Sequence, residues 1–181
     1  MKFKTTILSA TMFVLMMASC SPNLSTFNQK LYEENQWSEE ELKKIQFYLS
    51  DDIILTRVFE KGETQITNGK IKTINGQQIE ELRFKKGTPG VFLFSPKENR
   101  FAISFENSVE PSYLIFGPNP KFGNRYALFG KEWNRNSGQV TYQDKVYNTS
   151  TSSAWTTLMV DLTRIKKSQV SRKTAEGRVV E

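Results

Sequence analysis

The chain of 181 residues contains no histidine and a single cysteine, Cys20. Without histidine, Ser-His-Asp and Cys-His nucleophile arrangements, histidine general bases and histidine metal ligands are all excluded. No serine is followed by a lysine three residues later, so the S-x-x-K arrangement of penicillin-binding enzymes is missing too. The sequence also lacks a phosphate-binding loop and an EF-hand loop. We therefore predict no catalytic residue, no metal site and no cofactor.

Carboxylate pairs are the remaining route to a hydrolase. A glycosidase needs two Asp or Glu side chains that face each other across a cleft. Asp51 with Asp52 and Glu80 with Glu81 are the adjacent pairs considered for this role. Neighbouring residues in a strand point to opposite faces, so Glu80 and Glu81 are not expected to converge. Asp51 and Asp52 are predicted to be turn residues rather than catalytic or calcium-binding groups.

Aromatic side chains are spread over the second half of the chain, where most are expected to fill a core between β surfaces. Trp133 is the expected exception, because it lies in the loop-like sequence KEWNRNSG. Trp133 and Trp155 are therefore candidate ligand contacts. Together with Asn134, Asn136 or Asn148 they could form a platform for a glycan or a peptide.

The first twenty residues have the pattern of an export signal. Two early lysines precede an apolar stretch, residues 7–18, that is shorter than the roughly 20 residues needed to span a bilayer. The sequence LMMASC, which begins at Leu15 and ends at Cys20, resembles the lipobox of bacterial lipoproteins. This resemblance implies cleavage before Cys20, a diacylglycerol on its thiol and acylation of its new amino group. Met17 departs from the leucine that is commonest at that place.

An ordinary secretory signal, cut near Ala18 or Ser19, is the alternative interpretation. Lipid attachment is favoured because a lone cysteine in an exported protein otherwise needs an explanation. Two or three acyl chains, at about 0.8 kcal/mol per buried methylene, would anchor the protein to a membrane. Some bacteria mark surface-displayed lipoproteins with acidic residues just after the cysteine. Residues 21–24 lack them, so the periplasmic face of the outer membrane is predicted.

The formal net charge of +6 is distributed unevenly along the chain. Removal of residues 1–19 leaves 162 residues, which suits one domain. Residues 20–163 carry 17 basic and 17 acidic side chains, whereas residues 164–181 carry six basic and two acidic ones. The surplus is therefore assigned to a basic C-terminal tail, solvated or touching anionic lipid, and not to a face of the domain. No nucleic-acid partner is predicted.

Residues 20–36 are polar and are predicted to be a flexible tether with a reach of about 20 Å. The sequence WSEEELKKIQFYLSDD then predicts a helix that is capped by Ser38 and runs to about Leu49, docked by its apolar face on the domain of residues 37–163. Ser38 and Glu41 have the spacing of a capping box at its start.

The rest of the domain has the short apolar runs and turn residues typical of strands. DIILTRVFE predicts one strand, and the Asn-Gly pairs at residues 68–69 and 75–76 predict a three-stranded meander over residues 63–84. VFLF is expected to be buried on both faces, and YLIF to end at Gly117. Further strands are predicted in RFAISFE and over residues 125–129, 139–147 (folded about residues 144–145) and 154–162. The predicted fold is mainly β, an antiparallel barrel or sandwich with one N-terminal helix docked on it.

The sequence LKKIQFYLSDDIILTR, which begins at Leu42, resembles small lipoproteins of unassigned function in the Bacteroidota, and the resemblance transfers no catalytic residues. We predict a membrane-anchored envelope lipoprotein, a non-enzymatic binding or assembly module. Its partners would be the bilayer, through acylated Cys20, and an envelope protein or glycan. The alternatives are a small barrel that carries a hydrophobic ligand or lipid and a carboxylate-dependent glycan hydrolase. The first is preferred because the anchor is the one strong site and catalytic residue types are sparse.

Overall fold

The computed structural model describes residues 23–59, 70–74, 77–107 and 112–168. The strands of these residues form two antiparallel sheets, consistent with a sandwich, and they do not form a closed barrel. The prediction of a mainly β, antiparallel fold is confirmed in this form. Cys20, the first strand of the predicted meander and the end of the C-terminal tail lie outside the described residues. In the described part of the chain, no helix is long and apolar enough to cross a bilayer.

The larger sheet has seven strands, in the order β1-β12-β2-β6-β7-β8-β9. Their bounds are β1 Leu24–Thr26, β2 Gln46–Leu49, β6 Pro89–Lys97, β7 Arg100–Ser104, β8 Leu114–Asn119, β9 Arg125–Leu128 and β12 Leu158–Asp161. The smaller sheet has five strands, in the order β10-β11-β3-β5-β4. Their bounds are β3 Ile53–Val58, β4 Lys70–Ile74, β5 Gln77–Phe84, β10 Ser137–Tyr142 and β11 Lys145–Ser150.

The two ends of the larger sheet approach each other. The Tyr126 N–H donates to the Phe27 carbonyl (3.1 Å), and the Leu128 N–H donates to the Thr156 carbonyl (3.0 Å). These bonds connect β9 to the segments beside β1 and β12, which are the first two strands of the same sheet. The sheet is therefore strongly curled around its aromatic core.

The helix predicted from the Ser38 cap to about Leu49 is wrong in length. The capping box is present, with the Glu41 carboxylate accepting from the Ser38 N–H at 2.9 Å, but helix α2 comprises only Glu39–Leu42. Residues 46–49 instead form β2, in which Phe47 and Leu49 are buried. The apolar residues fit a period of two as well as a helical period, and pairing with β6 and β12 on both sides satisfies the backbone.

The predicted tether is also wrong for residues 24–36. β1 pairs with β12, and helix α1 (Gln29–Asn35) begins at Asn28, whose side chain accepts from the Leu31 N–H at 2.8 Å. Phe27 between them is fully buried. At the other end, helix α3 (Leu162–Ser168) enters the predicted basic tail, and its Ile165 is buried in the core. Pairing of β1 and burial of Phe27 hold the first segment on the domain, and burial of Ile165 holds the start of the second.

Two strand predictions and the predicted position of one turn need correction. VFLF is not buried on both faces, because Val91 is 45% and Phe94 37% exposed. β8 does not end at Gly117 but continues to Asn119, with Pro118 opposite Tyr126 in β9. The β10–β11 hairpin turns at Gln143 and Asp144, both of positive φ, one residue earlier than predicted.

Candidate functional site

The carboxylate pairs occupy structural positions. Asp52 accepts hydrogen bonds from the Lys86 N–H (2.7 Å) and from Arg83 Nε (3.0 Å), so it fastens the turn before β3 to the chain that follows β5. The Lys86 N–H and then the Arg83 guanidinium hold the pKa of Asp52 below its usual value. Glu80 is fully buried and its Oε2 lies 2.6 Å from Arg57 Nε, while Glu81 is on the opposite, partly exposed face of β5.

The lowered pKa of Asp52 predicts a pH-dependent stability. A carboxyl whose pKa is depressed in the folded state stabilises the fold above its unfolded pKa of about 3.9, and this contribution is lost as the pH falls through the folded pKa. Asp52→Asn should therefore lower the urea midpoint at pH 7, and the difference from the parent should shrink at pH 2–3. Asp51→Asn is the matched control. An equal difference at both pH values would show that the carboxylate charge of Asp52 is unimportant.

The loop that contains Trp133 is closed by backbone hydrogen bonds. Lys131 and Gln139 exchange two such bonds, of 2.7 and 2.9 Å, between the end of β9 and the start of β10. Inside the loop, Asn134 Oδ1 accepts from the N–H groups of Asn136 (2.9 Å) and Ser137 (2.8 Å). These bonds define the conformation of the loop without using the Trp133 side chain.

Two glycines seat the indole of Trp133. A Cβ atom on Gly138 would meet the indole carbons at less than van der Waals distance, and one on Gly130 would lie 3.1 Å from Trp133 Cζ2. The ring therefore packs directly on the backbone of these residues and is half-buried. The side chain is held in place because both positions lack one.

Trp155 is presented on the surface. It ends the 3-10 helix Thr151–Trp155 and is 49% exposed. Its ring makes an edge contact with Phe122, at 5.1 Å between centroids, and Arg125 lies over the same phenyl ring at 4.5 Å. This support leaves much of the indole accessible to solvent.

Trp133 and Trp155 line the same cleft, which has a volume of about 490 Å³. Lys121, Asn134 and Arg135 are also among its lining residues. Asn136 and Asn148, the other amides predicted to lie near the indoles, are not among them. The structure therefore brings together three of the five residues singled out from the sequence.

Two further clefts adjoin this one. A cleft of about 230 Å³ shares Asn119, Leu128 and Trp133 with it. A third cleft, of about 530 Å³, shares Arg100 and Phe129 with the second. The third cleft is also lined by Lys97, Tyr113, Ile115 and Lys131. We call these three adjoining clefts the β8–β9 groove.

Arg100 is the functional candidate that the sequence did not indicate. It begins β7 and lines both the second and the third cleft. Its guanidinium lies 4.1 Å from the centroid of the Phe129 ring, and its side chain packs against Gly117, where any Cβ would collide with it. Phe129 and Gly117 are distant in sequence, so no local motif marks this arrangement. In the described residues the guanidinium makes no ion pair and donates no hydrogen bond.

The groove also corrects the charge assignment made from the sequence. Basic side chains from β6, β7 and the loops around β9 line it, although residues 20–163 are neutral by count. The domain therefore does have a basic face, assembled from residues that are far apart in the chain.

The described residues contain no group of three or more side chains that could hold a metal ion. No protein-family model, curated protein or solved structure matches this chain. The groove and its chemistry are therefore the basis for a functional proposal.

Proposed function

We propose that this protein is an envelope lipoprotein whose β domain is a non-enzymatic binding module. Acylated Cys20 would hold it on the periplasmic face of the outer membrane, and a glycan or an envelope protein would bind in the β8–β9 groove. The observation that carries the binding role is the convergence of Trp133 and Trp155 on one cleft beside polar side chains. Sites for small ligands and sugars combine apolar aromatic walls with a few polar groups in this way.

The chemistry of the groove favours binding over hydrolysis. A glycosidase places two carboxyl groups about 5–10 Å apart. Among the described residues that line the groove, Asp144 is the single carboxylate. Glu80 is engaged in the interior, where it pairs with Arg57 and accepts from the Tyr147 hydroxyl at 3.3 Å.

The interior favours a surface site over an enclosed lipid cavity. Phe27, Phe101 and Tyr126 are fully buried, and their ring centroids lie 4.6–5.8 Å apart. Contacts of this kind fill the core between the strands. A ligand would therefore bind on the outside of the domain, where the groove lies.

The anchor is tested by the mass and fractionation of the protein. We expect the membrane-extracted protein to have the mass of residues 20–181 plus two or three acyl chains. Cys20→Ser should abolish the added mass, block maturation and release the protein from the membrane fraction. A variant that fractionates with membranes as the parent does would disprove the anchor. The melting temperature of the domain serves as the control and should be unchanged.

A further inference from the structure

We infer that the ligand of the β8–β9 groove is an anionic polysaccharide, bound along the three clefts with its acidic groups on Arg100 and the neighbouring cations. This inference rests on the proposed function, because it names the ligand class of the same groove. It is argued below from charge, hydrogen-bonding capacity and the support of one arginine.

The groove concentrates positive charge. Its lining residues include five cations, which are Lys97, Arg100, Lys121, Lys131 and Arg135, against one carboxylate, Asp144. Glu98 and Glu132 are next to two of these lysines in the chain but do not line the clefts. A lining charge of +4 on a domain that is neutral by count favours an anionic ligand.

Several polar groups of the groove are donors without an acceptor, whereas Gln143 Oε1 is a buried acceptor without a donor. Asn119 Oδ1 accepts from the Lys121 N–H at 3.0 Å, and Asn134 Oδ1 accepts from the N–H groups of its own loop. Both amide oxygens therefore already accept at least one hydrogen bond, and within the described residues the two NH₂ groups have no acceptor. The same holds for the indole N–H groups of Trp133 and Trp155. A ligand rich in hydroxyl, carboxylate or sulfate oxygens complements these donors.

Arg100 is prepared for an acidic group. A guanidinium offers a planar set of donors that matches a carboxylate or sulfate in a bidentate manner. Phe129 supports one face of this guanidinium, and Gly117 allows close packing on its side chain. Little side-chain freedom remains to be lost when an anion binds, which increases affinity.

The shape favours an extended chain with apolar ring faces. Clefts of about 530, 230 and 490 Å³ follow one another, with Phe129 and Trp133 at the two junctions. Sugar rings place their C–H faces on aromatic side chains and their oxygens towards donors. An acidic peptide or a single-stranded nucleic acid shares part of this chemistry, so both are included in the test.

The experiment measures binding to the lipidated, detergent-solubilised protein by tryptophan fluorescence and calorimetry. The anionic probes are polygalacturonate, alginate and dextran sulfate. Fully methyl-esterified polygalacturonate is the uncharged control for polygalacturonate. We expect at least one anionic probe to bind, with an affinity that falls as salt screens the charges. If polygalacturonate binds, the affinity of its methyl ester should be at least tenfold lower.

The variants locate the charges that matter. Arg100→Gln should weaken binding of the anionic probe by about tenfold or more, since it removes a supported, charge-assisted contact. Lys121→Gln and Arg135→Gln change exposed residues that carry no ion pair in the described structure, so they should fold normally and weaken binding about two- to fivefold. Lys30→Gln, on α1 and outside the groove, should leave the affinity unchanged.

Each contrary result overturns a different statement. Equal binding of charged and uncharged polysaccharide, or no binding of any anionic probe, would overturn the inference about charge. Binding of poly-glutamate or oligothymidylate alone, lost in Arg100→Gln, would overturn the polysaccharide class but keep the groove as a binding site. A polysaccharide that binds equally well to Trp133→Ala and Trp155→Ala would place its site elsewhere, and the proposed function of the groove would fail.

Discussion

Phe27→Ala is expected to lower the free energy of unfolding by about 4 kcal/mol, the usual cost of removing a buried phenylalanine side chain. Phe27 is fully buried, and its ring centroid lies 4.9 Å from that of Tyr126, 5.3 Å from Phe47 and 5.9 Å from Trp37. For a domain of this size the melting temperature should fall by roughly 8–16 °C. Urea and thermal unfolding of the mature protein measure both quantities.

Lys30→Ala is the control for this prediction. Lys30 lies in α1, three residues after Phe27, and its side chain is 82% exposed. Its Nζ lies 3.7 Å from Glu34 Oε1. An exposed pair of this kind contributes little, so the change in stability should stay within about 0.5 kcal/mol. If Phe27→Ala proved as mild as this control, residues 24–36 would be a tether after all.

Glu80→Ala is expected to destabilise the domain by about 3–5 kcal/mol, because it removes one partner of a buried ion pair. Glu80 is fully buried, and only 10% of the Arg57 side chain is exposed. Without Glu80, the Arg57 guanidinium would remain in the interior beside a cavity. The Tyr147 hydroxyl, which donates to Glu80 Oε2 at 3.3 Å, would also lose this acceptor.

Denaturant unfolding measures this loss, with Glu98→Ala as the matched carboxylate control. Glu98 is exposed in the turn between β6 and β7, so its replacement should change stability by less than about 0.5 kcal/mol. A loss below about 1 kcal/mol for Glu80→Ala would show that Arg57 is satisfied without it.

The strands were predictable where residues alternate clearly or where a turn has a strong local signal. β3 follows this pattern, and so does the β4–β5 hairpin, whose strands flank the Asn-Gly pair at residues 75–76. The sequence around Phe47 was not decisive, because its apolar residues satisfy two periods and only the neighbouring strands β6 and β12 select the extended form. The polar segment around Phe27 was missed for a similar reason, since one aromatic residue without periodicity does not reveal the ring cluster that receives it.

The candidate site was predictable only in part. Trp133 stood out because its neighbours are typical of a loop, and Asn134 followed from proximity in the chain. The cleft joins them to Trp155 and to Lys121, and the groove extends to Arg100, 33 residues before Trp133. The proximity of these residues depends on the pairing of β8 with β7 and β9, which a single sequence does not specify.

The pairing of β1 also determines how far the domain can be from a membrane. If Cys20 carries the lipid, only four residue steps separate it from Leu24, the first residue of β1, and a fully extended chain covers about 14 Å over that length. β9, which lines the groove, forms a bridge with the segment just after β1, between Arg125 and Asn28. The residues of β9 that line the groove, Ala127 and Leu128, lie further along this strand. With such an anchor, the N-terminal end of β1 would stay within about 14 Å of the acylated residue, so the domain would be held close to the membrane surface rather than on a long tether.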